Sequence, residues 1–382
     1  MSLRWWSRVL APDGQVARGA PSDAAEVYVA FPGPKAPSIL ADVDSSTAVR
    51  GALMRSGAGV ARREQLARSA AARATASAKV RRRLPNLVHV SAGPAGTLRD
   101  QLRNRLDADV RLWLTAGPVR PNRKPVVRVL DESDRVLAFA KVGWDAATSE
   151  LVDTEADALG SLRERPCRGL IVPDVVDHFR WADLSILITR PLPVDADPVV
   201  AADAEVSALR RLVDYGGRTS QPLAMSAYWI GLCERLGSLR SLAVAEAEIS
   251  GDAPIVLGGH HGDWSPWNIR RTVSDLGLYV WDWERSRVDG PAGLDLAHYV
   301  MQVGRFIEGQ TVAAAARRAQ DALAAHLPDF DLDRAEAARL VRIELLETVA
   351  RLVESGLATE LTERRDEIVE VLESLRPAGA SA

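Results

Sequence analysis

The sequence predicts an α+β protein built from three successive regions: an N-terminal α/β region, a small antiparallel sheet and a mainly helical remainder. Three observations carry this. Short β-branched and aromatic runs bounded by turn residues dominate 108–193. Apolar spacings of three and four residues dominate 194–382. Residues 1–107 mix both patterns and hold no motif that carries chemistry.

In the first region, Glu26-Val27-Tyr28-Val29-Ala30-Phe31 reads as a strand stopped by Pro32-Gly33-Pro34. Ser38 to Asp42 reads as a second strand, and Ser45-Ser46-Thr47 as the cap of a helix running to Arg55. Arg62 to Arg83 reads as one Ala-rich helix with eight basic residues against Glu64 alone. Leu87 to Val90 is a further strand. In the second region Val110 to Leu114 is a strand, and Pro125–Leu130 with Val136–Val142 forms a hairpin across Asp131-Glu132-Ser133-Asp134. A helix follows over Leu151 to Leu162, then strands at Leu170–Pro173 and Leu184–Thr189, and Pro191-Leu192-Pro193 closes the sheet as a linker. The third region carries helical spacing over Ala201–Tyr215, Ser226–Glu248, Ala313–His326, Asp333–Ser355 and Thr359–Leu375.

Composition narrows the function classes. An apolar fraction of 47% and a charged fraction of 26% suit a soluble globular chain. A net charge of −3 gives no global reason to expect nucleic acid. Cys167 and Cys233 stand far apart, which supports neither a disulfide framework nor a zinc site and fits a reducing cytoplasm. No apolar run is long enough to span a bilayer, and Met1-Ser2-Leu3-Arg4-Trp5-Trp6 lacks the apolar core of a signal peptide. The abundance of Ala and Arg points to a bacterial genome rich in G and C.

The chemistry is concentrated in His261-Gly262-Asp263-Trp264-Ser265-Pro266-Trp267-Asn268 and Tyr279-Val280-Trp281-Asp282-Trp283-Glu284. Apolar runs at Ile255-Val256-Leu257 and Leu278-Tyr279-Val280 lead into the two groups as short strands. Two carboxylates and a carboxamide at strand ends suit a hard cation such as Mg²⁺, which takes few protein oxygens and completes its shell with water and phosphate. A further acid beside them can orient a hydroxyl and take its proton. That set is the minimum for moving a phosphoryl group from a nucleotide to an alcohol.

The order His-Gly-Asp, Asn five positions after the Asp, then an Asp on the next strand resembles the aminoglycoside phosphotransferase and choline kinase family, small-molecule relatives of the protein kinases. Gly290-Pro291-Ala292-Gly293-Leu294-Asp295-Leu296-Ala297 is similar to the segment that follows in that family. The resemblance implies a bilobal protein-kinase-like fold over roughly 108–375, and ATP and Mg²⁺ as cofactors. It implies Asp263 as catalytic base, Asn268 and Asp282 as metal ligands, His261 as a brace for the loop and Asp295 as a structural carboxylate. His260 is assigned no chemistry.

The same resemblance points upstream. Lys141 ends the alternating run Val136 to Val142, where a charge facing inward needs a reason, and it matches the lysine that meets the nucleotide phosphates. The alternative is an edge-strand lysine facing water, and the downstream motifs favour the phosphate role. Glu155 stands where the partner of that lysine belongs, with Glu150 as its rival. Leu192-Pro193 resembles the Leu-Pro of the family's hinge, which implies the Arg190 carbonyl and the Leu192 amide as adenine contacts, with Pro191, which has no N–H to offer, between them. Thr115 to Lys124 is a poor nucleotide loop with one glycine, in which Arg120, Arg123 and Lys124 read first as solvated loop charges and second as phosphate contacts in place of backbone amides.

Four tryptophans crowd the motif. Packing behind the loop accounts for most of them, and Trp264 or Trp267 is the candidate platform for a sugar face. The resemblance and these tryptophans together imply a hydroxylated small molecule as acceptor, a sugar or amino sugar ahead of an aminoglycoside antibiotic, choline or an amino-alcohol. The basic stretch 62–83 is a solvated face, or else a weak contact to an anionic membrane surface. The reading from a different class is a kinase-like binding or scaffold protein without catalysis.

Overall fold

A computed structural model describes residues 2–19, 24–54, 69–117, 123–193, 202–272, 277–354 and 360–376. The chain divides into two compact units. The first comprises 1–119, 123–153 and 174–191, and the second 120–122, 154–173 and 192–382.

The first unit is a nine-stranded antiparallel sheet. Its strands are β1 (Gln15–Ala17), β2 (Glu26–Phe31), β3 (Ile39–Asp42), β4 (Leu87–Ser91), β5 (Arg111–Ala116), β6 (Pro125–Leu130), β7 (Val136–Gly143), β9 (Val175–Trp181) and β10 (Leu184–Thr189). They lie in the order β1-β4-β2-β3-β5-β6-β7-β10-β9. The sequence placed a boundary at 107/108. The sheet runs through it, because β3 and β5 pair in register from Ile39↔Thr115 to Ala41↔Trp113.

Alternation along the strands explains why this sheet is covered on both faces. In β2, Tyr28 and Ala30 face one core with the helices Leu3–Leu10 and Leu98–Leu106. Val29 between them faces another core with the helix Ser46–Met54. The helices begin where their caps dictate: Ser45 Oγ accepts the Ala48 N–H at 2.9 Å, and Thr97 forms a capping box with Asp100. The buried carboxylates Asp42 and Glu26 are hydrogen-bonded, with Arg99 donating to Asp42 at 2.5 Å and Tyr28 and Thr97 bonding Glu26.

Two expectations change here. The strand beside β10 is Val175–Trp181, not Leu170–Pro173; Leu170–Ile171 (β8) belongs to the second unit. The polar residues Asp177, His178 and Arg180 concealed β9, which sits at the sheet edge where such residues are tolerated. The basic stretch 62–83 is not one helix: residues 75–77 form a turn before the short helix Ala78–Arg81. Arg81 is buried, and its guanidinium donates to the carbonyls of Val43, Asp44, Thr75 and Ala76. Arg62, Arg63 and Arg68 lie outside the described residues.

The second unit is mainly helical, with helices at Ala146–Glu164 (from residue 154 onward), Ala202–Gly216, Ala227–Leu236, Arg240–Ser250, Leu294–Gln302, Val312–Ala325, Arg334–Glu354 and Glu360–Ser374. The helix expected over Ser226–Glu248 is broken at Gly237, whose φ of 55° lies in the left-handed region that glycine tolerates. Two small sheets interrupt the helices. One orders β11 (Thr219–Pro222), β12 (Pro254–His260) and β15 (Arg287–Pro291); the other orders β13 (Ile269–Arg271), β14 (Leu278–Val280) and β8. Among the described residues no helix is long and apolar enough to cross a membrane.

Candidate active site

The strand β12 delivers residues 261–268 as a loop, and β14 delivers 281–286, both within the second unit. Gly262 permits the turn. Its φ is 81°, and a Cβ there would sit 2.2 Å from the Arg285 carbonyl oxygen, so only glycine fits.

Asp295, at the start of the helix Leu294–Gln302, fastens this turn. Its carboxylate accepts the His261 N–H at 2.7 Å and the Gly262 N–H at 3.0 Å, and His260 Nε2 lies 3.0 Å from it. Burial works against its charge, but His260, His261 and these bonds outweigh it and hold the group at about 2. His261 is buried between Trp264 and Trp283, whose rings meet it edge-on at 5.6 and 4.6 Å. Its Nδ1 accepts the Asp263 N–H at 3.1 Å, so Nε2 carries the proton donated to the Trp281 carbonyl at 3.2 Å. Burial lowers its pKa, which suits a neutral ring with a bracing role.

Four polar contacts hold Asp263. Asn268 Nδ2 donates to its carbonyl at 3.0 Å and to Oδ2 at 2.9 Å. His298 Nε2 lies 3.1 Å from Oδ1, and Arg351 Nη1 lies 3.4 Å from the same oxygen while its other nitrogen bonds the Gly262 carbonyl. Burial would raise the Asp263 pKa, but the bond to His298 and the charges of His298 and Arg351 take it well below the usual carboxylate range. Engaging Nδ2 in both bonds leaves the Asn268 carboxamide oxygen as its atom suited to a cation. The Asn268 carbonyl accepts the Trp281 N–H at 3.2 Å, which ties the loop to the stretch bearing Asp282.

Asp282 has a φ of 71°, a conformation Asp tolerates better than most side chains. Glu155, Asp282 and Glu284 each place a ligand oxygen within 4.8 Å of the others. Three carboxylate oxygens so grouped, with a carboxamide on the adjoining loop, have the donor chemistry of a hard divalent cation. Glu284 was not singled out from sequence. Glu155 is buried, whereas its rival Glu150 is exposed.

Lys141 lies in the first unit on β7, an interior strand paired to Val126 on β6 and Leu187 on β10, so the edge-strand reading does not hold. It shares a face with Leu137 and Phe139, while Ala138, Ala140 and Val142 are buried on the other. The Arg190 N–H is taken by the Asp174 carbonyl at 2.9 Å, and the break between the units follows at Pro191, next to Leu192. In the loop after β5, Arg123 is buried and turned onto the Ala116 carbonyl at 3.4 Å; Arg120 lies outside the described residues.

The tryptophans separate by exposure. Trp264 and Trp283 are buried packing, while Trp267 is 44% exposed and meets the exposed Phe306 edge-on at 6.0 Å.

His298, Glu344 and Arg351 escaped the sequence reading. A signal existed: Glu344, Glu347 and Arg351 repeat at helical spacing inside the apolar helix Arg334–Glu354. Glu347 is buried and bonded to Tyr228 at 2.8 Å and to Arg235 at 2.8 Å.

No family model matches the sequence, and no curated protein matches it. Among solved structures the chain is similar to a spectinomycin phosphotransferase in complex with ADP and spectinomycin, at 12% identity, covering 74% of this chain and 98% of that one, with a TM-score of 0.44. It is similar to an amicoumacin kinase in complex with AMP-PNP, Ca²⁺ and Ami, at 13% identity, covering 70% and 90%, TM-score 0.43. It is also similar to an aminoglycoside phosphotransferase from Streptomyces rimosus in complex with ADP and streptomycin, at 17% identity, covering 62% and 92%, TM-score 0.41.

Proposed function

We propose that this protein transfers the γ-phosphoryl group of ATP to a hydroxyl of a small molecule, a sugar or amino sugar by preference. The observation that carries the reading is the linked pair of loops. Asp263 is fixed by Asn268, and Asp282 sits within a carboxylate cluster on the next strand end.

In this reading Asp263 accepts a hydrogen bond from the acceptor hydroxyl and orients its oxygen toward the phosphorus. As the new O–P bond forms and the bond to ADP breaks, the hydroxyl proton passes to the Asp263 carboxylate. Asn268 and Asp282, with Glu155 or Glu284 beside them, would hold Mg²⁺, which supplies positive charge against the phosphates. Lys141 is assigned to the α- and β-phosphates, and the Arg190 carbonyl and Leu192 amide to adenine. The exposed Trp267–Phe306 pair favours an acceptor with an apolar C–H face, as a pyranose has.

The test is ADP release with Mg·ATP over a panel of sugars, amino sugars, aminoglycosides and amino-alcohols, alongside thermal shift by Mg·ATP. Asp263→Ala should lower turnover by about 10²–10⁴-fold and keep the nucleotide-induced stabilisation. A scaffold without catalysis would release no ADP with any acceptor, and turnover retained in Asp263→Ala would remove Asp263 as base.

A further inference from the structure

Behind Asp263 stands a buried histidine with a carboxylate at each ring nitrogen. His298 Nε2 lies 3.1 Å from Asp263 Oδ1, and Nδ1 lies 2.7 Å from Glu344 Oε1. His298, on the helix Leu294–Gln302, is 2% exposed, and Glu344, on the helix Arg334–Glu354, is 1% exposed. A neutral imidazole has one N–H and one lone pair, so it would turn a lone pair toward one of the two acids. Both contacts are hydrogen bonds only if the ring carries two protons, or if one acid carries a proton of its own.

The surroundings decide between these. Asp263 receives Asn268 Nδ2 at 2.9 Å and Arg351 Nη1 at 3.4 Å, so its oxygens meet donors throughout. Glu344 Oε1 also accepts from Thr348 Oγ1 at 3.4 Å. The charged groups facing the ring are Asp263, Glu344 and Arg351, two anions against one cation. Donors around both acids favour their ionised forms, which places the proton on the ring. Burial opposes a charged ring, but the two carboxylates outweigh it and raise the pKa to about 9.

We propose that His298 is a standing imidazolium bridging Asp263 to Glu344, and that it serves as a positioning residue for Asp263. Its Nε2–H bond fixes the rotation of the Asp263 carboxylate and holds it ionised, while its Nδ1–H bond to Glu344 fixes the ring, so the remaining lone pairs of Asp263 stay directed at the acceptor hydroxyl. The role follows from reading Asp263 as the base, whereas the charge state of the ring does not depend on that reading. A carboxylate so stabilised is a weak base, which suits a loose transition state in which the hydroxyl gives up its proton late.

The experiment has two arms. The full-length protein carrying ¹⁵N-labelled histidine is examined by NMR at neutral pH, with the His298→Gln spectrum assigning the resonances. Two protonated ring nitrogens at His298 are expected, and one protonated and one bare nitrogen would overturn the charge assignment. In the kinetic arm, His298→Gln and His298→Ala are compared with wild type on an acceptor the wild type phosphorylates. The prediction is a kcat lowered by about 10²-fold with KM for ATP nearly unchanged, and partial recovery of His298→Ala by added imidazole. Unchanged kcat in His298→Gln would overturn the positioning role. A protein that phosphorylates no acceptor would overturn that role together with the phosphotransfer reading, and the NMR result would still decide the charge.

Discussion

At the scale of single residues the site combines a rigid backbone turn with a carboxylate held from several sides. Asp295 fixes the turn by accepting two consecutive N–H groups, and His261 locks the next residue by accepting the Asp263 N–H. Of the four tryptophans in the motif, Trp264 and Trp283 are buried packing. Trp267 stays on the surface of the loop that bears Asp263, so Trp267→Ala should raise the acceptor KM by about 10-fold, the order expected for losing an aromatic contact. KM for ATP should not move, and an acceptor KM equal to wild type would rule out the platform. The contiguous loop was legible in the sequence because Asp263 and Asn268 are five positions apart. Arg351 was not, because it reaches Asp263 across 88 positions and no local pattern marks such a contact.

At the scale of elements, the strands following 108 could be read because alternation, hairpin turns and prolines are local signals. What could not be read was how they continue sideways. The pairing of β3 with β5 joins the first hundred residues to the sheet that carries Lys141. Ala138, Ala140 and Val142 of β7 share one core with Trp6, Leu10, Leu98 and Leu102. Deleting residues 1–107 would therefore expose an apolar sheet face and an unpaired β5 edge, and the remaining chain should aggregate when expressed. Leu102→Ala in the full chain should cost about 2–5 kcal/mol, read as a lowered denaturant midpoint. A soluble, cooperatively folded 108–382 fragment would show instead that the N-terminal region is an independent extension. The missed β9 shows the limit of local reading, since its edge position allows the polar residues that hid it.

At the scale of the whole molecule, the buried charges of the second unit predict the pH range in which the protein is stable. Asp295 and Glu347 are each held at about 2, below their ordinary values of 3.8 and 4.5. Both are buried, yet their basic neighbours outweigh that burial, His260 for Asp295 and Arg235 for Glu347. A carboxylate lowered by folding contributes stability above its unfolded pKa and loses it as pH falls through the folded one. His298 is raised from 6.5 to about 9, so its contribution is full below the unfolded value and is lost as pH rises through the folded value. Each shift is worth on the order of 2–3 kcal/mol. Stability should thus peak between about pH 4.5 and 6.5, decline toward pH 2 and decline again toward pH 9. Urea midpoints measured across this range check it, and a midpoint flat from acid to alkaline pH would contradict the assignment of these pairs.

The central claim is that Asp263 directs a hydroxyl at the terminal phosphorus of ATP. ³¹P NMR of the protein incubated with Mg·ATP and a sugar or amino sugar tests it most directly. A phosphomonoester resonance on the acceptor should grow in step with ADP, and at least about 10²-fold more slowly with Asp263→Ala. ADP accompanied only by inorganic phosphate, or a phosphomonoester formed equally well by Asp263→Ala, would contradict it.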